Sequence, residues 1–244
     1  MTDKIILSIV IPVWNKSHFT KACMKDLAFL PPDHEIILVD NGSTDDTEET
    51  FKDLKFQETG PKFKYVRNSN NLGFACACNI GYGESTGENV LFLNNDIRVR
   101  EDQKTWTKIL IDHCNHALVG PTMGLLDSNL SFVKEANAML TGPYAYMSGW
   151  CLASSKEIWK KLEIPRNPIL IYDRQPAPQV FSEEFGLAYF EDTDLSFRAA
   201  KLKIDREIVD VPVVHFGKQT SAQLNTHKLY SAARQIFIKK WGKK

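Results

Sequence analysis

Polar residues that could do chemistry recur where apolar runs stop. Asp40-Asn41-Gly42-Ser43 follows EIILVD, Asn94-Asn95-Asp96 follows VLFL, and His215 closes the run Val209–Val214. Arg67 ends a shorter run, and Pro12-Val13-Trp14-Asn15 ends the first one. A hard cation takes carboxylate and carbonyl oxygens, with a diphosphate able to supply the remainder of its shell, and Asp96 is the carboxylate best placed for that. Asn-Asn-Asp is equally good turn composition. Glu191-Asp192-Thr193-Asp194 precedes Leu195, Ala199 and Leu202 on one helical face. Acids there suit a helix N-terminus, and Asp194 can pair with Arg198 one turn on. A carboxylate on a rim can also take a proton from an attacking hydroxyl. Trp150, after Ser148-Gly149, reads either as a core aromatic or as a platform for a sugar face.

The elements that must position these groups alternate in period. Ile5–Val13 and Glu35–Asp40 are near-continuous apolar runs, as strands covered on both faces require. Residues 17–30 carry Phe19, Cys23, Leu27 and Leu30 at helical spacing before Pro31-Pro32. Ser43 and Thr44 are expected to open a helix with Asp45-Asp46 in its first turn. Phe63–Val66 reads as a strand, 74–85 as a small-residue helix and Asn89–Leu93 as a strand. Alternating strands and helices predict an α/β fold with a mostly parallel sheet, whose ligands sit beyond the carboxyl ends of its strands. Residues 120–150 show no long period. Ser154-Ser-Lys-Glu157 reads as a capping box before a helix around Trp159 and Leu162. Residues 164–182, with four prolines, read as a loop. A helix at 193–202, a strand over Ile208–Val214 and an amphipathic helix at 222–241 complete the expectation, organised as one domain with halves at 1–119 and 120–221 and a terminal helix at 222–244.

Composition narrows the partners only a little. The 244 residues carry 30 basic and 30 acidic side chains. All acids precede residue 211, whereas seven cations follow it, so an acidic body carries a basic end. The terminal helix sets Leu229, Ala233, Ile236, Phe237 and Trp241 against that charge, which is compatible with packing on the domain or with peripheral docking on anionic lipid. A phosphate-bearing acceptor, nucleic acid included, stays open. No run reaches the ~20 apolar residues of a membrane span, and no basic, cleavable leader is evident. Five scattered cysteines suit reduced thiols, so the expectation is cytoplasmic. No G-x-G-x-x-G follows the first strand and no G-x-x-x-x-G-K-[ST] occurs; Gly81-Tyr-Gly83 falls inside a helical segment. Phosphates bound here lack a glycine nest and would need a metal ion.

Taken in order, SIVIPVWN (8–15), EIILVDNGSTDDT (35–47), VRNSNNLGFACACNIG (66–81), VLFLNNDI (90–97), SGWCLASSKEIW (148–159), FEDTDLSFRAAK (190–201) and VVHFGKQTS (213–221) resemble the family-2 glycosyltransferases with the GT-A fold, above all the branch of rhamnosyltransferase-like enzymes. The resemblance implies an inverting transferase that moves a sugar from a nucleotide diphosphate, UDP or dTDP, to the hydroxyl of a glycan, lipid-linked or other acceptor. It implies that Pro12 and Val13 line the nucleoside pocket, that Asp40 accepts the base N3–H, that Arg67 lies near the base, and that Gly73 allows close backbone approach. Asn94 and Asp96 occupy the D-x-D positions, with Asn95 between them on the donor side. Asp96 and His215 would hold Mn2+ or Mg2+, Asp192 would be the base, and Glu191 and Trp150 would touch acceptor or sugar. Asn94 departs from the first aspartate of that motif and brings no charge, so weaker metal affinity is expected. The competing readings are a sugar-nucleotide-binding module without catalysis and a sugar-1-phosphate nucleotidyltransferase; the latter class has a glycine-rich basic loop that is absent at Trp14–Ser17.

Overall fold

The computed structural model describes residues 4–165, 178–217 and 225–242. Seven strands form the main sheet: β1 (Leu7–Val13), β2 (His34–Asp40), β3 (Lys62–Arg67), β4 (Asn89–Leu93), β6 (Ala117–Gly120), β10 (Cys151–Ser155) and β11 (Asp205–Ile208). Their spatial order is β11-β6-β10-β4-β1-β2-β3. β1, β2, β3 and β4 are parallel neighbours, and β11 pairs parallel with β6. Only β10 runs the other way, antiparallel to both β4 and β6. β5 (Ile97–Val99) and β12 (Val213–His215) form a separate antiparallel pair, and β7 (Met123–Leu126), β8 (Phe132–Ala136) and β9 (Ala145–Met147) a three-stranded antiparallel sheet.

Successive side chains of a strand face opposite ways, so covering both faces needs apolar residues throughout. In β1, Leu7, Ile9 and Ile11 enter one core with Cys23, Met24 and Leu27 of α1 (Ser17–Leu27) and with Trp106 and Leu110 of α4 (Trp106–Ile111). Val10 enters the other core, with α3 (Phe74–Glu84), with Ile158 and Trp159 of α5 (Lys156–Lys161), and with Leu195 and Ala199 of α6 (Glu191–Lys201). A third cluster joins Leu126, Leu130, Phe185 and Phe190 to Ala233 and Phe237 of α7 (Thr226–Trp241).

Four expectations shift. Ser43 and Thr44 do not open a helix: Ser43 Oγ accepts from Asn15 N and Thr44 N donates to Asn15 Oδ1, so α2 begins later (Thr47–Phe51). The cap of α5 is Ser155, whose hydroxyl accepts from Ile158 N, while Ser154 is buried and donates to Ala117 O. Ile208–Val214 is two strands in two sheets, parted at a stretch containing Pro212, which has no N–H for a ladder. The 120–150 stretch holds the short strands β7–β9. Of the expected loop at 164–182, residues 166–177 lie outside the described residues, and so do 218–224.

α7 is packed on the body. Trp241 Nε1 donates to Asp194 Oδ1 at 2.7 Å, Lys240 reaches Asp194 and Glu184, and Arg234 donates to Leu130 O. Two of the cations that suggested a lipid surface are thus engaged in holding the helix. No helix among the described residues is long and apolar enough to cross a membrane.

Candidate active site

Parallel strands deliver their carboxyl ends to one edge, and antiparallel β10 begins at that edge. A cavity of about 360 Å3 opens there. Pro12 and Val13 from the end of β1, Asn94, Asn95 and Asp96 from beyond β4, Trp150 from the start of β10, Glu191 and Asp192 from the first turn of α6, and His215 from the end of β12 line it together. Nine of the twelve residues singled out in the sequence therefore meet in one space. Asp40, Arg67 and Gly73 are not among its lining. Asp40 is fully buried and accepts from Ser43 N (2.8 Å), from Arg67 Nη1 (2.6 Å) and from the Tyr65 hydroxyl. Arg67 also pairs with Glu48 and donates to Ser43 O, so the two residues tie the ends of β2 and β3 together.

Gly73 does allow a close backbone approach, but by another stretch of this chain. Its φ is +92°, and a Cβ there would stand 2.5 Å from Gly186 O and 2.9 Å from Leu187 Cα. This contact seats the 186–189 stretch, whose Leu187, Ala188 and Tyr189 complete the cavity wall. Gly73→Ala combines a left-handed φ with a backbone clash; we expect a loss of about 1–3 kcal/mol, read as a lowered unfolding midpoint in urea.

Beyond the end of β4, Asp96 is 4% exposed and its Oδ1 is buried without a hydrogen bond. His215 Nε2 stands 3.1 Å from that oxygen, outside hydrogen-bond geometry, and Asn94 Nδ2 stands 3.2 Å from the same nitrogen. The demands conflict, because Asn94 as donor asks for a bare Nε2, whereas Asp96 asks for a protonated one. A cation that takes the imidazole lone pair in place of the Asn94 amide also pairs the orphaned carboxylate oxygen, so these residues fit a divalent ion. Trp150 stacks on the imidazole at 4.6 Å and 12°, fixing its plane, and donates its own Nε1–H to Thr122. One Trp150 face is thereby taken by His215 rather than free for a sugar. Asn95 turns away to donate to Thr20.

Elsewhere on the cavity wall, Asp192 Oδ2 accepts from Gly149 N at 3.0 Å and Oδ1 from Thr193 N at 2.7 Å. A Cβ on Gly149 would lie 3.0 Å from Asp192 Cβ, so glycine is what lets that amide approach. Tyr189 and Phe190, at φ +78° and +71°, turn the chain sharply into the helix. Such conformations are costly for bulky residues and cluster at functional sites. Burial raises the pKa of both Glu191 and Asp192, and the Asp192 charge raises Glu191 further, whereas the amides from Gly149 and Thr193 oppose the rise at Asp192. The pair titrates as a unit with the proton preferentially on Glu191 and the charge on Asp192. Asp194 is accounted for by its ion pair with Arg198 at 2.9 Å. Tyr146 and Glu135 also line the cavity, and burial keeps the Tyr146 phenol protonated. Neither residue stood out in the sequence, since both sit on the short strands of the 120–150 region.

Residues 8–122 match the family model for glycosyl transferase family 2. Over that stretch, just under half of its length, the chain is similar to the family-2 glycosyltransferases. Among similar proteins, glycosyltransferase GlyG of Streptococcus pneumoniae is 29% identical over 98 residues, a stretch covering 40% of this chain and 32% of GlyG. The uncharacterized glycosyltransferase RT0329 of Rickettsia typhi is 25% identical over 253 residues, covering 96% of this chain and 72% of its own length. The mannosyltransferase PcManGT of Pyrobaculum calidifontis, solved with GDP-Man and Mn2+, shares the fold with a TM-score of 0.58 at 15% identity, over 99% of this chain and 66% of that one. The GT-A architecture expected of a family-2 member is therefore the one this chain has. None of these names assigns a rhamnosyl donor.

Proposed function

We propose that this chain is a metal-dependent, inverting glycosyltransferase that moves a sugar from a nucleotide diphosphate donor to an acceptor hydroxyl. The observation that carries the reading is that an orphaned carboxylate oxygen on Asp96 and a charged, amide-held carboxylate on Asp192 face one cavity. Mn2+ or Mg2+ held by Asp96 and His215 would neutralise charge developing on the leaving diphosphate. Asn94 is anchored through its backbone amide, which donates to Trp150 O at 2.8 Å, and its side chain would yield His215 Nε2 to the ion. Pro12 and Val13 form the wall along which the nucleoside lies. Asp40, buried beneath Arg67, holds it in place, and the partly exposed Arg67 side chain offers a pyrimidine base its contact. Asp192 takes the proton of the attacking hydroxyl, and attack opposite the leaving group inverts the anomeric carbon. A second, polar cleft lined by Arg100, Thr122, Glu135, Asn137 and Asp210 shares Trp150 and His215 with the donor cavity and gives a hydroxyl-rich acceptor its approach.

A thermal-shift panel of UDP-, dTDP- and GDP-sugars with and without Mn2+ tests the reading. Bound ligand raises apparent stability by mass action, about 2.7 kcal/mol at a hundredfold excess over Kd. The expected result is a rise with a pyrimidine nucleotide sugar that depends on Mn2+. A chain that answers no nucleotide sugar under either condition overturns the reading. Pyrophosphate release from a sugar 1-phosphate would favour a nucleotidyltransferase instead.

A further inference from the structure

A second cluster of ligating side chains lies away from the cavity. The turn between α4 and β6 carries His113 and His116, and the edge strand β11 carries Glu207. His113 Nδ1 stands 2.8 Å from Glu207 Oε1, and His116 Nε2 stands 3.2 Å from Glu207 Oε2. One ligand atom from each residue can be chosen so that all lie within 4.8 Å of one another. Ligands on a tetrahedral Zn2+ sit at roughly 2.0–2.2 Å, which puts them about 3.3–3.6 Å apart. Small side-chain rotations bring these three into that arrangement.

The backbone beneath them is fixed. His113 N donates to Leu110 O, Cys114 is fully buried and its carbonyl accepts from Ser155 N, and Glu207 sits on a strand paired in register with Val119 of β6. Binding therefore requires little ordering of the chain. The donor set is two imidazole nitrogens and one carboxylate oxygen, which suits Zn2+ rather than Mg2+ or Mn2+.

From this geometry we propose that His113, His116 and Glu207 form a zinc-binding site distinct from the candidate active site. His116 immediately precedes β6, whereas the cavity opens beyond the other end of that strand. The ion ties the turn after α4 to β11, which as the sheet's edge has β6 as its sole neighbour in the sheet. Three protein ligands leave the fourth position to water.

The test is calorimetric titration of ZnCl2 into the full chain carrying Asp96→Asn, which removes the other candidate centre. One equivalent of Zn2+ is expected to bind, Co2+ is expected to give the intense visible absorption of a tetrahedral site, and the melting temperature should rise by about 5–10 °C at a hundredfold excess over Kd. All three are expected to vanish when His113→Ala and His116→Ala are added. Glu207→Gln, which leaves both imidazoles, should retain weakened binding and serves as a second variant with minimal risk to folding. The proposal is overturned if the Asp96→Asn chain binds no zinc, or if the histidine variants bind it with the same stoichiometry and affinity.

Discussion

Asp192→Asn should lower kcat about 10²–10⁴-fold, the range typical of general acid–base catalysis, while the Mn2+-dependent thermal shift with donor is unchanged. The substitution is nearly isosteric, and an asparagine oxygen can still accept from Gly149 N or Thr193 N, so local geometry is retained. Stability should hold or rise at neutral pH. A buried acid whose pKa is raised by folding favours the protonated chain, so its stabilising contribution is complete at low pH and is lost as pH rises through the folded pKa. Removing the charge relieves that loss. The same raised pKa sets the pH profile: kcat/KM should fall on the acid side at a pH above the ordinary aspartate value of about 3.9, because the base must be ionised to act. Glu191 stays protonated through that limb, so Glu191→Gln should leave its position unchanged. Turnover near the wild-type rate in Asp192→Asn would refute the base assignment.

Much of this was legible from residues, and the gaps have physical causes. β1, β2 and β4 are covered on both faces, which forces unbroken apolar runs, and their ends then mark the site directly. The acids of α6 were visible because a helix N-terminus tolerates charge that a strand interior does not. What escaped was set by tertiary contacts. β7, β8 and β9 have three to five residues each, too short to show a period, so Tyr146 and Glu135 went unseen. Gly149 stood in the sequence only as the residue before Trp150; its role depends on Asp192, 43 residues away, meeting its amide. Asp40 and Arg67 were expected beside a base, yet their strongest partners are each other. Packing on the domain and docking on lipid both stayed open for the terminal helix because sequence shows its charges without the buried Asp194 that draws Lys240 and Trp241 inward.

Asp96→Asn is expected to remove metal-dependent donor binding and to reduce kcat/KM by roughly 10²–10³-fold, as fits several kcal/mol of charge stabilisation at a leaving diphosphate. The large effect follows from the altered D-x-D. A second aspartate at position 94 would share the load, but Asn94 brings no charge, so under the proposed function Asp96 would be the one carboxylate of the altered motif to face the ion. His215→Ala should weaken Mn2+ binding less, since it removes a neutral ligand and leaves the carboxylate. It also frees the stacked face of Trp150, so its effect on KM is expected to exceed its effect on kcat. Asn94→Asp runs the argument in reverse: a restored carboxylate should lower the Mn2+ concentration needed for half-maximal activity. Electron paramagnetic resonance of free Mn2+ across these variants measures each affinity without relying on turnover. An Asp96→Asn chain that binds Mn2+ and donor as tightly as the wild type would show that the orphaned oxygen has another purpose, and the metal would have to be sought elsewhere on the cavity wall.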